Sequence, residues 1–398
     1  MGLMALTLER SKAAPLQLWL DSCLFSRPWF CDLITPYIQT IETLKFDQLA
    51  TVEHLSQTLP NFPQSTPNLR LLSLILEDGE PGWDPSIDPF GLFPGTLRSL
   101  TLDDIPLYPS FLELRTLRVL SLRYHTVRPP LDALLDVLEE NRSLESVDLR
   151  IYSDEYPAQV SLRRAVVLNQ LHRLMVTCWD ATIARILISN IPLRKGAHLG
   201  ITLRCGSTGL GLKDILSGIS MTRLSNLPSP TSMTYRSRDR KIQLNGPNGS
   251  FLYDHDRYPA NPFVEFPVLP LTNVKYLHLA HNRPYPASLP SYFPALETLT
   301  IKCNTSTSHL FSALFPDPSL FPSLKTLGFL DCDTTRMFME ELTRFASSRK
   351  TTTSAWLHRV VIVDQDGEFP TTSSINRLEK HVPIVDVRFG REFPKDLT

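Results

Sequence analysis

The hydrophobic positions of this chain fall into one recurring phrase. Leu69-Arg70-Leu71-Leu72-Ser73-Leu74 returns as Leu97-Arg98-Ser99-Leu100-Thr101-Leu102, as Leu117-Arg118-Val119-Leu120-Ser121-Leu122 and as Leu144-Glu145-Ser146-Val147-Asp148-Leu149. Apolar and exposed positions alternate toward the end of each phrase, which is the period of a strand with one buried face. Further copies start at Ile41, Leu171, Val274, Leu296, Leu324, Leu357 and Ile384, mostly about 20–29 residues apart. Between them, apolar residues recur at helical spacing over 29–39, 51–59, 131–140, 181–190, 212–219, 335–348 and 373–381. In 131–140, Leu131, Leu134, Leu135 and Leu138 share one face, with Asp136, Glu139 and Glu140 opposite; Pro129 and Pro130 open the helix and Asn141 closes it.

A strand phrase of this form, alternating with helices and turns at this spacing, is the template of the leucine-rich repeat. It predicts an α/β solenoid over residues 1–398, with a curved parallel sheet on the concave side and helices and turns on the convex side. Residues 1–15 are expected to form an N-terminal capping helix and 274–398 the C-terminal repeats. Residues 220–272 break the period. There Ser232-Met233-Thr234-Tyr235-Arg236, Lys241-Ile242-Gln243-Leu244 and Ser250-Phe251-Leu252-Tyr253 alternate between turn residues, the signature of a β-meander. Both an insertion overhanging the binding face and a degenerate repeat that keeps the stack closed fit this pattern.

At 398 residues and 45.1 kDa the chain exceeds what one core usually fills, a limit that a stack of repeats does not have. Its 33 prolines fall mostly between elements, as at Pro60, Pro63, Pro67 and Pro322, and read as stiff turns. With 40 basic and 41 acidic residues, the whole chain is not suited to binding nucleic acid or an anionic membrane. Any charge-based specificity is local. Cys23, Cys31, Cys178, Cys205, Cys303 and Cys332 show neither a C-x-x-C pair nor zinc spacing, and read as reduced structural thiols. The N-terminus lacks a basic start and a long apolar run, and Leu6 stands where a myristoylation signal needs Ser or Thr. Sequons at Asn141, Asn248 and Asn304 then read as chance matches, and the expected location is cytoplasmic or nuclear.

Signals for catalysis are weak. There is no phosphate-binding loop, and 206–211 has the wrong glycine order for a dinucleotide site. Asp84-Pro85-Ser86-Ile87-Asp88 begins like a calcium loop, but Pro89 and Gly95 stand where glycine and the bidentate acid are needed. The spacing of His278 and His281 does not make a metal pair, and Asp254-His255-Asp256 reads as a solvated loop. A non-enzymatic protein with no cofactor is expected.

Two sets of residues carry a family resemblance. The run from Leu6-x-Leu8-Glu9-Arg10-Ser11 to Ala14-Pro15-Leu16-x-Leu18-x-Leu20-Asp21 is similar to the segment that follows the F-box in F-box-type leucine-rich-repeat proteins of mushroom-forming fungi. Phe293-Pro294-x-Leu296 and Phe321-Pro322-x-Leu324 resemble that family's repeats. The resemblance implies substrate recognition for a cullin-type ubiquitin ligase. The Leu-Pro-x-Glu-Ile/Leu helix that would dock the adaptor subunit is not found in the chain, so recognition alone is the part expected here. The alternative is a stand-alone scaffold or inhibitor.

The expected binding surface is the concave face. The position after the last leucine of successive strands reads Asp21, Asp47, Ile75 and Asp103, then Arg123, Arg150, Thr177 and Arg204. Arg123, Arg150 and Arg204 could receive an acidic or phosphorylated segment of a protein partner. Equally, Asp148 could neutralise Arg150 or Arg173 across a solvated sheet. Tyr276 and His278 complete the candidate face. The chain is expected to be a monomer.

Overall fold

The computed structural model describes residues 8–11, 14–21, 28–49, 67–76, 95–107, 112, 114–125, 130–152, 165–204, 211–216, 219, 230–236, 241–247, 249–255, 262–280, 285–286, 288–302, 314–315, 317, 319–332, 335–352, 356–364 and 370–389. The chain groups into two compact units. One comprises Met1–Ala197, Ile201–Thr208 and Ile219–Leu224, the other His198–Gly200, Gly209–Gly218 and Ser225–Thr398.

In the first unit, β1 (Leu16–Asp21), β2 (Ile41–Leu49), β3 (Leu71–Leu76), β4 (Ser99–Asp103), β5 (Val119–Tyr124), β6 (Ser146–Ile151) and β7 (Arg173–Cys178) are neighbours in chain order, and the unit also takes Ile201–Leu203 of β8 (His198–Leu203). From β1 to β7 every pairing is parallel. A parallel strand needs a crossover to return to the same edge, and the described crossovers include α1 (Pro28–Ile34), α2 (Leu131–Glu140) and α3 (Ala181–Asn190). The fold is thus an α/β leucine-rich-repeat stack. The opening leucines Leu69, Leu97, Leu117, Leu144 and Leu171 are buried, as are the inward pairs Leu100 and Leu102, Leu120 and Leu122, and Val147 and Leu149.

In three successive repeats the turn into the strand uses the residue before its opening leucine to satisfy backbone of the preceding repeat. Thr96 donates to Leu69 O (3.2 Å), Thr116 to Leu97 O (2.8 Å) and Ser143 to Leu117 O (2.8 Å). Helix ends repeat a second device. Asn141 and Asn190, both buried, each donate a side-chain amide hydrogen to the carbonyl four residues back (2.8 Å in both). Asn141 is therefore committed inside the fold, which removes it as a glycosylation acceptor.

In the second unit the strand order is β11 (Gly249–His255), β10 (Lys241–Gly246), β9 (Ser232–Arg236), β12 (Tyr276–Ala280), β13 (Thr298–Lys302), β14 (Thr326–Leu330), β15 (Arg359–Asp364) and β16 (Ile384–Phe389). The stretch that breaks the repeat period supplies three strands of the sheet. β9, β10 and β11 pair antiparallel, and β9 pairs parallel with β12. Met233, Leu244 and Phe251 form one buried row, and Tyr235, Ile242 and Tyr253 another. Tyr235 packs on Phe263 and Phe266 of the 3-10 segment Pro262–Val268.

Helix α4 (Leu212–Leu216) starts against that segment, where buried Glu265 accepts the Lys213 N–H at 2.7 Å. A Cβ at Gly211 would run into the same carboxylate, so a side chain there would require Glu265 to shift. Helices α5 (Arg336–Thr352) and α6 (Thr372–Glu379) cover the C-terminal repeats.

Expected and observed helices differ in detail. The helix read over 29–39 is α1 followed by a 3-10 segment, Thr35–Thr40, with Pro36 in its first turn. The helix read over 335–348 runs on to Thr352, while the one read over 51–59 lies outside the described residues. The last repeat starts at Val382 and not at Ile384. Val385 and Val387 pair with Val360 and Ile362, and Val382 is buried while Ile384 is exposed. Val382, Val385 and Val387 fit the phrase in one frame and Ile384, Val387 and Phe389 fit it two residues later, and only the pairing selects between them.

Candidate functional site

Alternation sends 119, 121 and 123 of β5, 146, 148 and 150 of β6, and 173, 175 and 177 of β7 to the outer face of the first unit's sheet. Asp103, Arg123, Arg150 and Thr177 are register neighbours there. The two arginines are already engaged. Arg123 holds Asp103 at 3.0 Å, with His125 3.6 Å from the same carboxylate, and Arg150 holds Asp148 at 3.0 Å. Burial pushes the Asp103 carboxyl up, although Arg123 and His125 pull it down.

Of the two partners open to Asp148, the fold selects Arg150. Arg173 is at the start of β7, exposed and opposite Ser146. Arg204 is not in the Arg123 column. Its N–H meets Cys178 O (2.9 Å), as that of Trp179 meets Ile151 O and that of Tyr152 meets Tyr124 O. These strands carry three inward residues, so Leu203 is level with Cys178 and Ile151, and Arg204 falls one outward position later.

Arg204 therefore closes a row that the repeat template did not single out: His125, Tyr152, Trp179, Arg204. His125 stacks on Tyr152 with centroids 4.6 Å apart, and Trp179 meets Tyr152 edge-on at 6.1 Å. The hydrogen bond to Asp148, with a smaller contribution from Tyr152, raises the Arg150 pKa. His125 is exposed, and Tyr152 and Trp179 are half-buried. Aligning the repeats one position beyond each strand would have revealed this row, because all three residues follow a strand's third inward side chain.

In the second unit, Tyr276 is exposed at the start of β12, opposite Ser232 and Thr298. His278 lies between Thr234 and Thr300, and its Nδ1 shares a 2.8 Å hydrogen bond with Thr300 Oγ1. Burial, then the charges of Arg236 and Lys302, lower its pKa from 6.5 to about 4. The folded state thus holds His278 neutral, and the stability this confers is present above pH 6.5 and lost as pH falls toward 4. Between pH 7 and pH 5 this amounts to about 2 kcal/mol. Urea denaturation should show that loss reduced in His278→Gln; an equal loss in both proteins would assign it to other groups.

Among the described residues no group of three or more His, Cys, Asp and Glu could hold a metal ion. Cys178 and Cys332 are buried thiols. Burial pushes Cys178 up to about 12, so it is neither a thiolate nor a ligand at neutral pH. Cys332 donates toward Leu330 O (3.5 Å) and Ile301 O (3.8 Å) in the turn after β14. Asp254 pairs with Lys241 at 3.7 Å. No described helix is long and apolar enough to cross a membrane.

No family model matches the chain, and no curated protein matches it. Solved structures similar to it include a leucine-rich-repeat protein of Leptospira interrogans, at 14% identity and a TM-score of 0.34, covering 94% of this chain and 90% of that one. The fold assignment rests on this chain's own parallel ladder and repeat phrase.

Proposed function

We propose that the chain recognises a protein partner, through the outer face of its first unit around Arg123, Arg150, Tyr152, Trp179 and Arg204. The row of aromatic rings at the ends of β5, β6 and β7 carries this reading. Tyr, Trp and Arg side chains on a rigid, partly open face supply most binding energy at protein interfaces. The Asp103–Arg123 and Asp148–Arg150 pairs hold the floor of the site in place, and the row ends at Arg204, an exposed guanidinium whose geometry suits an acidic or phosphorylated segment of the partner.

Reversing Arg123 would set a second carboxylate beside buried Asp103, so the test uses the rings. Trp179→Ala and Tyr152→Ala should each weaken partner capture in proximity labelling by about tenfold or more. Melting should shift by only a few degrees. Capture at wild-type levels by both variants would exclude this face.

The finer reading is that the partner is the substrate of a cullin-type ubiquitin ligase, and that the protein works in cytoplasm or nucleus. The Leu-Glu-Arg-Ser segment and the Phe-Pro-x-Leu repeats support it by resemblance. A stoichiometric complex with a purified adaptor subunit, measured by calorimetry, would support that role. Its absence would leave a stand-alone scaffold.

A further inference from the structure

The residue after each repeat's opening leucine lies at the N-terminal rim of the sheet. In the second unit, Lys275, Glu297 and Lys325 are consecutive rungs of this rim. The Glu297 and Thr298 N–H groups meet Lys275 O, and those of Lys325 and Thr326 meet Glu297 O. Glu297 takes both lysines, at 3.0 and 3.2 Å. The hydrogen bonds from Lys275 and Lys325 hold its carboxyl below the usual carboxylate range.

The first unit repeats this backbone and changes the charge. The Arg98 and Ser99 N–H groups meet Arg70 O, and those of Arg118 and Val119 meet Arg98 O. The middle rung, which is Glu297 in the second unit, is here a third cation. Glu42 sits 3.7 Å from Arg70 and Glu145 3.1 Å from Arg118, each on the side away from Arg98. Arg98 is exposed and has no ion pair among the described residues.

Neighbouring rungs stand about 4.8 Å apart, so three like charges crowd a span of roughly 10 Å. We propose that this rim, centred on Arg98, docks an acidic peptide segment of a partner protein, one carboxylate of which takes the place that Glu297 holds between Lys275 and Lys325. Planar guanidinium groups on adjacent rungs suit paired hydrogen bonds to carboxylates. The surface is distinct from the aromatic row and stands without it.

The test is fluorescence anisotropy with the full chain and a short fluorescein-labelled peptide of alternating Glu and Thr, against its Gln counterpart. The Glu peptide should bind saturably and the Gln peptide should not. Arg98→Glu restores the alternation seen in the second unit. It should weaken peptide binding by about tenfold or more while the melting temperature holds or rises. Arg377→Glu, an exposed reversal on α6 with the same change in net charge, should leave binding within about twofold. Trp179→Ala should also leave it unchanged, so failure of the aromatic site and failure of this one are separable. Absence of saturable binding, wild-type affinity in Arg98→Glu, or an equal loss in Arg377→Glu would each overturn the proposal.

Discussion

Replacing Arg349 with methionine should destabilise the second unit by about 3–5 kcal/mol, although the residue is remote from both proposed surfaces. Its side chain is fully buried near the C-terminal end of α5. The guanidinium donates to Leu320 O at 2.9 Å, Phe321 O at 3.2 Å and Leu324 O at 3.1 Å, and lies 5.7 Å over the Phe345 ring. These carbonyls belong to the turn into β14, in which Phe321 adopts a φ of 55°. Methionine fills much of the volume but donates nothing, so Leu320 O, Phe321 O and Leu324 O would each lose the guanidinium, and Phe321 O would keep the Leu324 N–H.

Burial lowers the Arg349 pKa, because a cation there gives up hydration. Three hydrogen bonds to a charged donor outweigh that cost in this geometry, because the planar fork reaches all three oxygens at once. Arg349→Lys should recover part of the loss, having one ammonium to share. Chemical denaturation followed by tyrosine and tryptophan fluorescence checks both variants. A methionine variant as stable as the wild type would show that desolvation cancels the bonds.

A second large effect is expected within the repeat phrase itself. Leu120→Ala should cost about 2–5 kcal/mol, whereas Ser121→Ala beside it should change stability by less than about 0.5 kcal/mol. Leu120 has no exposed surface and stacks in register between Leu100 and Val147, so truncation opens a cavity that its neighbours on both sides cannot close. Ser121 is on the other face, between Thr101 and Asp148. Denaturant midpoints for the pair decide the matter, and equal losses would reject the assignment of faces.

Much of this fold was legible in the chain because its determinants are local. A strand with one buried face must alternate, so each Leu-x-x-Leu-x-Leu phrase declared both its strand and its inward side. Proline before the helix and asparagine after it bounded 131–140 at the limits of α2. Alternation also marked Met233, Tyr235, Ile242, Leu244, Phe251 and Tyr253, which face one side of β9, β10 and β11. Local pattern alone did not say that β9 pairs with β12, since any exposed strand edge offers the same donors and acceptors.

What the tertiary structure decided was contact between repeats. Asp148 had two arginines within reach by sequence and both fall on its face, but the register set Arg173 opposite Ser146 and only Arg150 came within hydrogen-bond distance. The displacement of Arg204 into line with Trp179, and the start of the last repeat at Val382, are matters of register, which an apolar run leaves degenerate until its neighbour pairs with it. The aromatic row, the opposed charge orders of the two rims and the grip of Arg349 on a turn 25 to 29 residues away in sequence all join residues from different repeats. The sequence by itself determined which side of each strand turns inward, because that follows from hydrophobic burial residue by residue. Only the stacked structure determined which outward residues meet, because that depends on the alignment of one repeat against the next.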